Sequence, residues 1–60
     1  MDLIGFIGHK VKIILTNNYY FIGIVLDATD ESLDLRDIKG QRVALRKESI
    51  LSIQEVKNAL

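Results

Sequence analysis

Apolar and polar residues alternate with a period of two along most of the chain after residue 10. Val11, Ile13 and Leu15 are each separated by one residue, a spacing that places their side chains on one face of a strand. The alternation continues after Asn18 and returns at residues 33–36, 42–46 and 50–56. Because the connections between these segments are short, we predict an all-β fold in which five antiparallel strands form one sheet.

The connection Asn17-Asn18 predicts a two-residue hairpin turn, since asparagine tolerates the positive φ that such a turn requires. In that register the following side chains pair on one apolar face: Leu15 with Tyr20, Ile13 with Ile22, and Val11 with Ile24. Ile14 and Phe21 make the other face apolar too, which predicts that the hairpin is covered on both faces.

A second hairpin is predicted around Asp37-Ile38-Lys39-Gly40, which matches a type I turn with Gly40 in the left-handed position. This register pairs Leu35 with Val43 and Leu33 with Leu45 on one face. The opposite face then carries the charged residues Asp34, Arg36, Arg42 and Arg46.

Glycines mark two further predicted features. Gly23 lies inside the second strand, where glycine is unfavourable unless the backbone bends or closely approaches another segment, as a small barrel requires.

Before the first strand, Asp2 can cap a short helix that ends at Gly8. The apolar face of that helix consists of Leu3, Phe6 and Ile7. At the other end, a frayed tail is predicted from Lys57 to Leu60.

The composition predicts a domain that needs partners for stability. A 60-residue chain forms one domain, and such a domain buries only about 60% of the surface that its unfolded chain exposes. No cysteine is present to form disulfides, yet 48% of the residues are apolar. Surplus apolar surface usually marks an interface, so oligomerisation is the expected source of additional stability.

Charge is balanced overall but unevenly distributed. Eight basic and eight acidic side chains give a net charge of zero, so bulk charge gives no attraction to nucleic acid. Residues 27–37 contain five acids and one base, whereas residues 39–47 contain four bases and no acid. The two stretches either neutralise each other across a hairpin or leave the basic one able to contact phosphates.

Other residue types give little indication of chemistry. His9 has no partners at metal-ligand spacing, and the acids Asp27, Asp30 and Glu31 lack the glycine and terminal glutamate of a calcium loop. No catalytic triad or phosphate-binding glycine loop is evident, so we expect no enzyme activity and no cofactor. No apolar run approaches the about 18 residues of a membrane span, and no signal peptide is evident, so a cytoplasmic location is expected.

Two segments resemble the motifs of the Sm-like proteins, a family that includes the Sm proteins, the archaeal Sm-like proteins and, more distantly, Hfq. They are residues 8–25, GHKVKIILTNNYYFIGIV, and residues 45–53, LRKESILSI. The resemblance covers residues 3–56 and implies a short N-terminal helix followed by a bent five-stranded barrel. It also implies a homo-oligomeric ring of about five to seven subunits, closed by pairing the fourth strand with a neighbour's fifth. In this family the ring binds single-stranded, often uridine-rich RNA.

In the family, an RNA base is held between the loop after the second strand and the loop before the fifth. Arg46 matches the family arginine that covers the base, and Lys47 replaces the glycine that follows it. The base-reading asparagine is replaced by Asp34 or Leu33, and the stacking residue by Leu33 or Ser32, depending on register. The resemblance therefore implies the RNA-contacting candidates Arg46, Lys47, Asp34, Leu33 and Ser32. Tyr19, beside the predicted hairpin turn, is a further candidate for stacking on a base, whereas Tyr20 and Phe21 are expected to pack in the core or an interface.

The departures from the family pattern favour a second hypothesis. The zero net charge, the lysine at position 47 and the missing asparagine are consistent with a ring that has the same fold but no RNA pocket. Such a ring would have a structural or protein-binding role.

Overall fold

The computed structural model describes residues 2–57, and within this range five strands form one antiparallel sheet. The strands are β1 (Lys10–Leu15), β2 (Tyr20–Ala28), β3 (Ser32–Asp37), β4 (Arg42–Arg46) and β5 (Ile50–Glu55). Their order in the sheet is β4-β3-β2-β1-β5, so β4 and β5 are its edges among the described residues. The predicted all-β fold of five antiparallel strands is confirmed. The predicted tail lies outside the described residues from residue 58 onward.

The core lies on one face of the sheet, where the period-two apolar positions of β1 and β3 point. Val11 and Ile13 of β1 and Leu35 of β3 have no exposed surface. The buried core consists of Leu3, Val11, Ile13, Leu15, Val25, Leu33, Leu35, Leu45 and Ile50. Full burial of one such aliphatic side chain contributes about 1.5–3 kcal/mol. Within residues 2–57 no polar or charged residue is buried, so the core is purely apolar.

The predicted N-terminal helix is a single 3-10 turn, Ile4–Phe6. The Asp2 carboxylate accepts a hydrogen bond from the Gly5 N–H at 3.4 Å, close to the predicted cap. Leu3 is buried and Phe6 packs against the core, but Ile7 is exposed, contrary to the predicted apolar face. The chain is already extended at Ile7, so the turn is too short to bring a third side chain onto the core.

The predicted register of the first hairpin is wrong by one residue. In the structure Ile14 pairs with Tyr20, Ile13 with Phe21 and Val11 with Gly23. The connection is a three-residue loop, residues 16–18, because the Leu15 N–H donates to the Tyr19 carbonyl at 2.7 Å. Asn18 has a φ of 71°, as expected for the left-handed residue that ends a three-residue hairpin loop.

This shift moves every side chain of β2 to the opposite face from the one predicted, since side chains alternate with a period of two. Phe21 and Val25 point toward the core. Tyr20 is instead 59% exposed and Ile24 is 40% exposed, so the residues predicted to cover the inner face lie on the outer one.

Gly23 has the role that its position in a strand predicts. A Cβ built on Gly23 would lie 2.0 Å from the Arg36 carbonyl oxygen and 2.7 Å from the Asp37 Cα. The backbones of β2 and β3 therefore approach more closely here than any side chain would allow.

The second hairpin matches its prediction. Leu35 pairs with Val43 and Leu33 with Leu45 across β3 and β4, and Gly40 has a φ of 87°. The charged residues of the two strands lie on the outer face, where the Asp34 and Arg42 side chains meet at 3.3 Å. The connection between β4 and β5 is the 3-10 turn Lys47–Ser49.

Candidate nucleic-acid interface

The β2–β3 loop, residues 29–31, lies beside the 3-10 turn Lys47–Ser49 that connects β4 to β5. The Lys47 N–H donates to the Glu31 carbonyl oxygen at 2.8 Å. At the adjacent end of the hairpin, Ser32 of β3 pairs with Arg46 of β4. The fold thus brings together the two loops from which RNA contacts are expected, and with them three of the candidate residues.

The β2–β3 loop is held in a compact turn by its own polar side chains. The Thr29 hydroxyl oxygen accepts hydrogen bonds from the Glu31 and Ser32 N–H groups, both at 3.1 Å, and lies 3.1 Å from the Ser32 hydroxyl. The Thr29 N–H donates to the Ser32 carbonyl at 2.8 Å. Sequence reasoning missed this role of Thr29, although a threonine three residues before a serine in a polar loop is typical of such turns.

Arg46 and Lys47 present their charges to solvent at this site. The Arg46 Nη1 lies 3.5 Å from the Glu48 Oε1, and about four fifths of each side chain is exposed. An exposed pair of this kind contributes at most about 1 kcal/mol, so Glu48 is a weak competitor for the guanidinium. Lys47 is exposed as well. Both cations are therefore accessible to an anion or to a base.

Carboxylates border the site on the side of β2 and β3. Asp34 lies on the outer face and is paired with Arg42, while its cross-strand neighbour on β2 is Asp27. Both carboxylates line a small cleft of about 80 Å³ together with Ser32. A carboxylate can accept a hydrogen bond from a base edge, although its charge repels phosphates. Asp34 is thus placed for contact with a base rather than with the backbone of a nucleic acid.

Leu33 does not reach this surface. Its side chain is only 1% exposed and belongs to the core, because it lies on the opposite face of β3 from Ser32 and Asp34. We therefore remove Leu33 from the candidate contacts. Of the two registers left open by the sequence, the structure leaves Asp34 and Ser32 as the residues that face outward.

The β1–β2 loop, residues 16–18, contacts the other end of the 3-10 turn, and Tyr19 follows this loop. The Thr16 N–H donates to the Ser49 carbonyl oxygen at 2.9 Å. The Tyr19 N–H is bound by the Asn17 Oδ1 at 3.0 Å, and the tyrosine is 70% exposed. The turn is therefore held between two loops, one with Ser32 beside it and the other with an open aromatic ring.

No group of three or more potential metal ligands occurs within residues 2–57. In the same part of the chain, no helix is long and apolar enough to cross a membrane. Comparisons of the chain with protein-family models, with curated proteins and with solved structures found no match.

Proposed function

We propose that the chain is a cytoplasmic Sm-like protein that assembles into a homo-oligomeric ring and binds single-stranded RNA. The observation that carries the proposal is the contact between the β2–β3 loop and the 3-10 turn Lys47–Ser49, which places Arg46 and Lys47 beside Ser32. These are the two loops that hold an RNA base in the proteins that the sequence resembles. The site has exposed cations, an exposed aromatic ring and hydrogen-bonding groups, which are the components that single-strand recognition needs.

Assembly into a ring is supported by the two edges of the sheet. One side of the β4 backbone and one side of the β5 backbone have no partner strand among the described residues. Leu51 of β5 is 60% exposed, so this edge also presents apolar surface. Exposed edges of this kind promote uncontrolled aggregation unless they are covered. Pairing of β4 with the β5 of a neighbouring copy would satisfy both edges and close a ring.

Within the site each residue has a distinct proposed role. The planar guanidinium of Arg46 stacks on a base, and Lys47 contacts a phosphate. Ser32 and Asp34 accept hydrogen bonds from the base edge, while Tyr19 offers a second stacking surface. Stacking contributes about 1–3 kcal/mol per base, and a modest site repeated around a ring gains further affinity through avidity.

A structural or protein-binding ring without RNA affinity is the second candidate. It is favoured by the carboxylates around the basic residues, since Arg46 lies next to Glu48 and Arg42 next to Asp34. With a net charge of zero, long-range attraction of RNA would be weak. The two candidates share the fold and the ring, and they differ in whether the cations are accessible to RNA.

Titration of labelled oligo-U and of a mixed-sequence RNA at two salt concentrations separates these candidates. We expect micromolar binding at low salt that weakens as salt is raised, because phosphate contacts release counterions. Arg46→Ala is expected to lower the affinity about tenfold, since it removes a stacking group and a charge. Arg36→Ala is the matched control, because it removes the same charge from an exposed side chain near the opposite end of β3 from Ser32, and no carboxylate within residues 2–57 is paired with it.

Two results would contradict the proposal at different levels. If neither RNA binds at low salt in the micromolar range, the RNA function is wrong and the structural ring remains. If RNA binds but Arg46→Ala and Arg36→Ala have the same effect, RNA is bound elsewhere and the residue assignment is wrong. Light scattering on each variant establishes that the assembly itself is unchanged.

A further inference from the structure

A second surface lies at the opposite end of β3 and β4 from the proposed RNA site. There the β3–β4 turn, residues 38–41, packs against the beginning of β2, and the Ile38 N–H donates to the Ile22 carbonyl at 3.0 Å. Between them is a cleft of about 250 Å³ lined by Tyr20, Phe21, Ile22, Asp37, Ile38 and Lys39. Small-molecule sites commonly have about 300–1,000 Å³, so this cleft is suited to one large side chain rather than to a whole ligand.

The rim of the cleft is apolar and exposed. Ile38 in the turn is 69% exposed and Tyr20 is 59% exposed, and both line the cleft. Ile24 continues this apolar surface along the outer face of β2. None of these three side chains belongs to the core, which lies on the other face of the sheet. These exposed side chains therefore contribute nothing to the packing of a single copy. Contact with a partner would remove their apolar surface from water.

The turn that forms one wall of the cleft is already ordered. The Asp37 Oδ1 accepts hydrogen bonds from the Lys39 and Gln41 N–H groups, both at 2.9 Å. The Asp37 N–H donates to the Gln41 carbonyl at 2.8 Å, and Gly40 adopts the left-handed conformation that closes the turn. A ligand would therefore meet a preorganised wall, which lowers the entropic cost of binding.

Positive charge surrounds this apolar rim. Lys12 lies with its Nζ 4.9 Å from the centre of the Tyr20 ring, and Lys39 lines the cleft itself. Beside them a cross-strand row consists of Lys10, Ile24 and Arg36. Within residues 2–57, none of these four cations has a carboxylate within ion-pair distance. The Asp37 carboxylate at the cleft is already engaged by the backbone of its turn.

We propose that this surface binds an acidic peptide segment of another protein, with one large apolar side chain inserted in the cleft and carboxylates on the surrounding lysines. Charge complementarity selects an acidic partner. The aliphatic side chains favour a peptide over RNA. Burial of an apolar side chain against them lowers the free energy of binding, whereas a nucleic-acid base is bound chiefly by stacking on aromatic rings. The site resembles other peptide-binding surfaces in combining one buried anchor with a charged rim.

The proposal is tested by NMR titration of the ¹⁵N-labelled 60-residue chain with short peptides of alternating Glu and Asp around a central Phe. We expect shifts of the amides of residues 20–22 and 38–41, with saturable binding. A peptide with Ala in place of the Phe should bind about tenfold more weakly. The double variant Lys12→Glu, Lys39→Glu should also lose about tenfold, whereas Lys47→Glu, a single reversal at the other site, should leave peptide affinity unchanged.

Three outcomes would overturn this inference. The first is the absence of shifts at residues 20–22 and 38–41 with the Phe peptide at millimolar concentration. The second is equal affinity for the Phe and Ala peptides, which would leave only non-specific charge attraction. The third is oligo-U that shifts the same amides and binds there more tightly than the peptide, which would make the surface an RNA site. The spectrum of each unliganded variant shows whether it is folded.

Discussion

Replacement of Gly23 by alanine is expected to remove most of the stability of the protein. The added methyl group would lie 2.0 Å from the Arg36 carbonyl oxygen, which is backbone in the neighbouring strand and cannot rotate away. Forced separation of two paired strands in a close-packed domain costs about 3 kcal/mol, the upper end of the usual cost of overpacking. A domain of this size rarely has more than about 3–5 kcal/mol of stability, so most of it would be lost. Urea denaturation followed by circular dichroism measures the effect.

Gly5→Ala is the matched control for this experiment. Its added methyl group would lie 3.2 Å from the Asp2 Oδ2, the far end of an exposed and flexible side chain that can move aside. We expect a change in the free energy of unfolding within about 0.5 kcal/mol. If Gly23→Ala has a free energy of unfolding close to that of Gly5→Ala, the close approach of β2 and β3 is not a feature of the folded protein.

Leu33→Ala is expected to destabilise the fold by about 2–5 kcal/mol, the cost of removing a fully buried leucine side chain. The resemblance to the Sm-like family offered Leu33 as a base-contacting residue, whereas the structure places it in the core with 1% of its surface exposed. The two possibilities predict different results. A surface contact would lower RNA affinity and leave stability unchanged, but a core residue would lower the midpoint of thermal or urea unfolding.

Ile38→Ala serves as the control, since it removes the same number of carbon atoms from a side chain that is mostly exposed. Its effect on unfolding should be within about 0.5 kcal/mol. Similar midpoints for Leu33→Ala and Ile38→Ala would contradict the assignment of Leu33 to the core and return it to the candidate contacts.

The strands could be predicted from sequence because one face of the sheet is so much more apolar than the other. Leu33, Leu35, Val43 and Leu45 share a face only in the observed register of the second hairpin, and the Gly40 turn specifies the same register. The apolar pattern and the turn residue are independent signals, and they agree on this register. The N-terminal turn was less predictable, because a segment of three residues is fixed by the packing of Leu3 and Phe6 rather than by propensity.

The first hairpin shows why the rest of the fold could not be predicted from the sequence. Residues 20–25 are apolar at nearly every position, so both registers place apolar side chains on the inner face. The register was therefore decided by loop length, since Thr16 joins the two asparagines to make a three-residue loop. This one-residue difference moved Tyr20 and Ile24 to the outer face, and with them the surface that we propose for an acidic peptide.

The candidate site was only partly predictable. Arg46 and Lys47 were identified from a motif, and their exposure follows from their position at the end of β4. The alignment with the family motif left open which of Ser32, Leu33 and Asp34 contacts a base. The register predicted for the second hairpin already placed Leu33 on the apolar face, and the observed pairing with β4 agrees with it. The hydrogen bond between Lys47 and Glu31 that joins the two loops is formed by backbone atoms. No pattern of side chains could have indicated it.

The central claim is that the sheet is incomplete in one copy and that its β4 and β5 edges are covered by neighbouring copies. Size-exclusion chromatography coupled to light scattering tests it most directly, using the full chain of 6.8 kDa at micromolar concentration. The account predicts one monodisperse species of about five to seven subunits. A stable, folded species with a mass of 6.8 kDa would contradict it, since both edges would then be tolerated in solution without a partner.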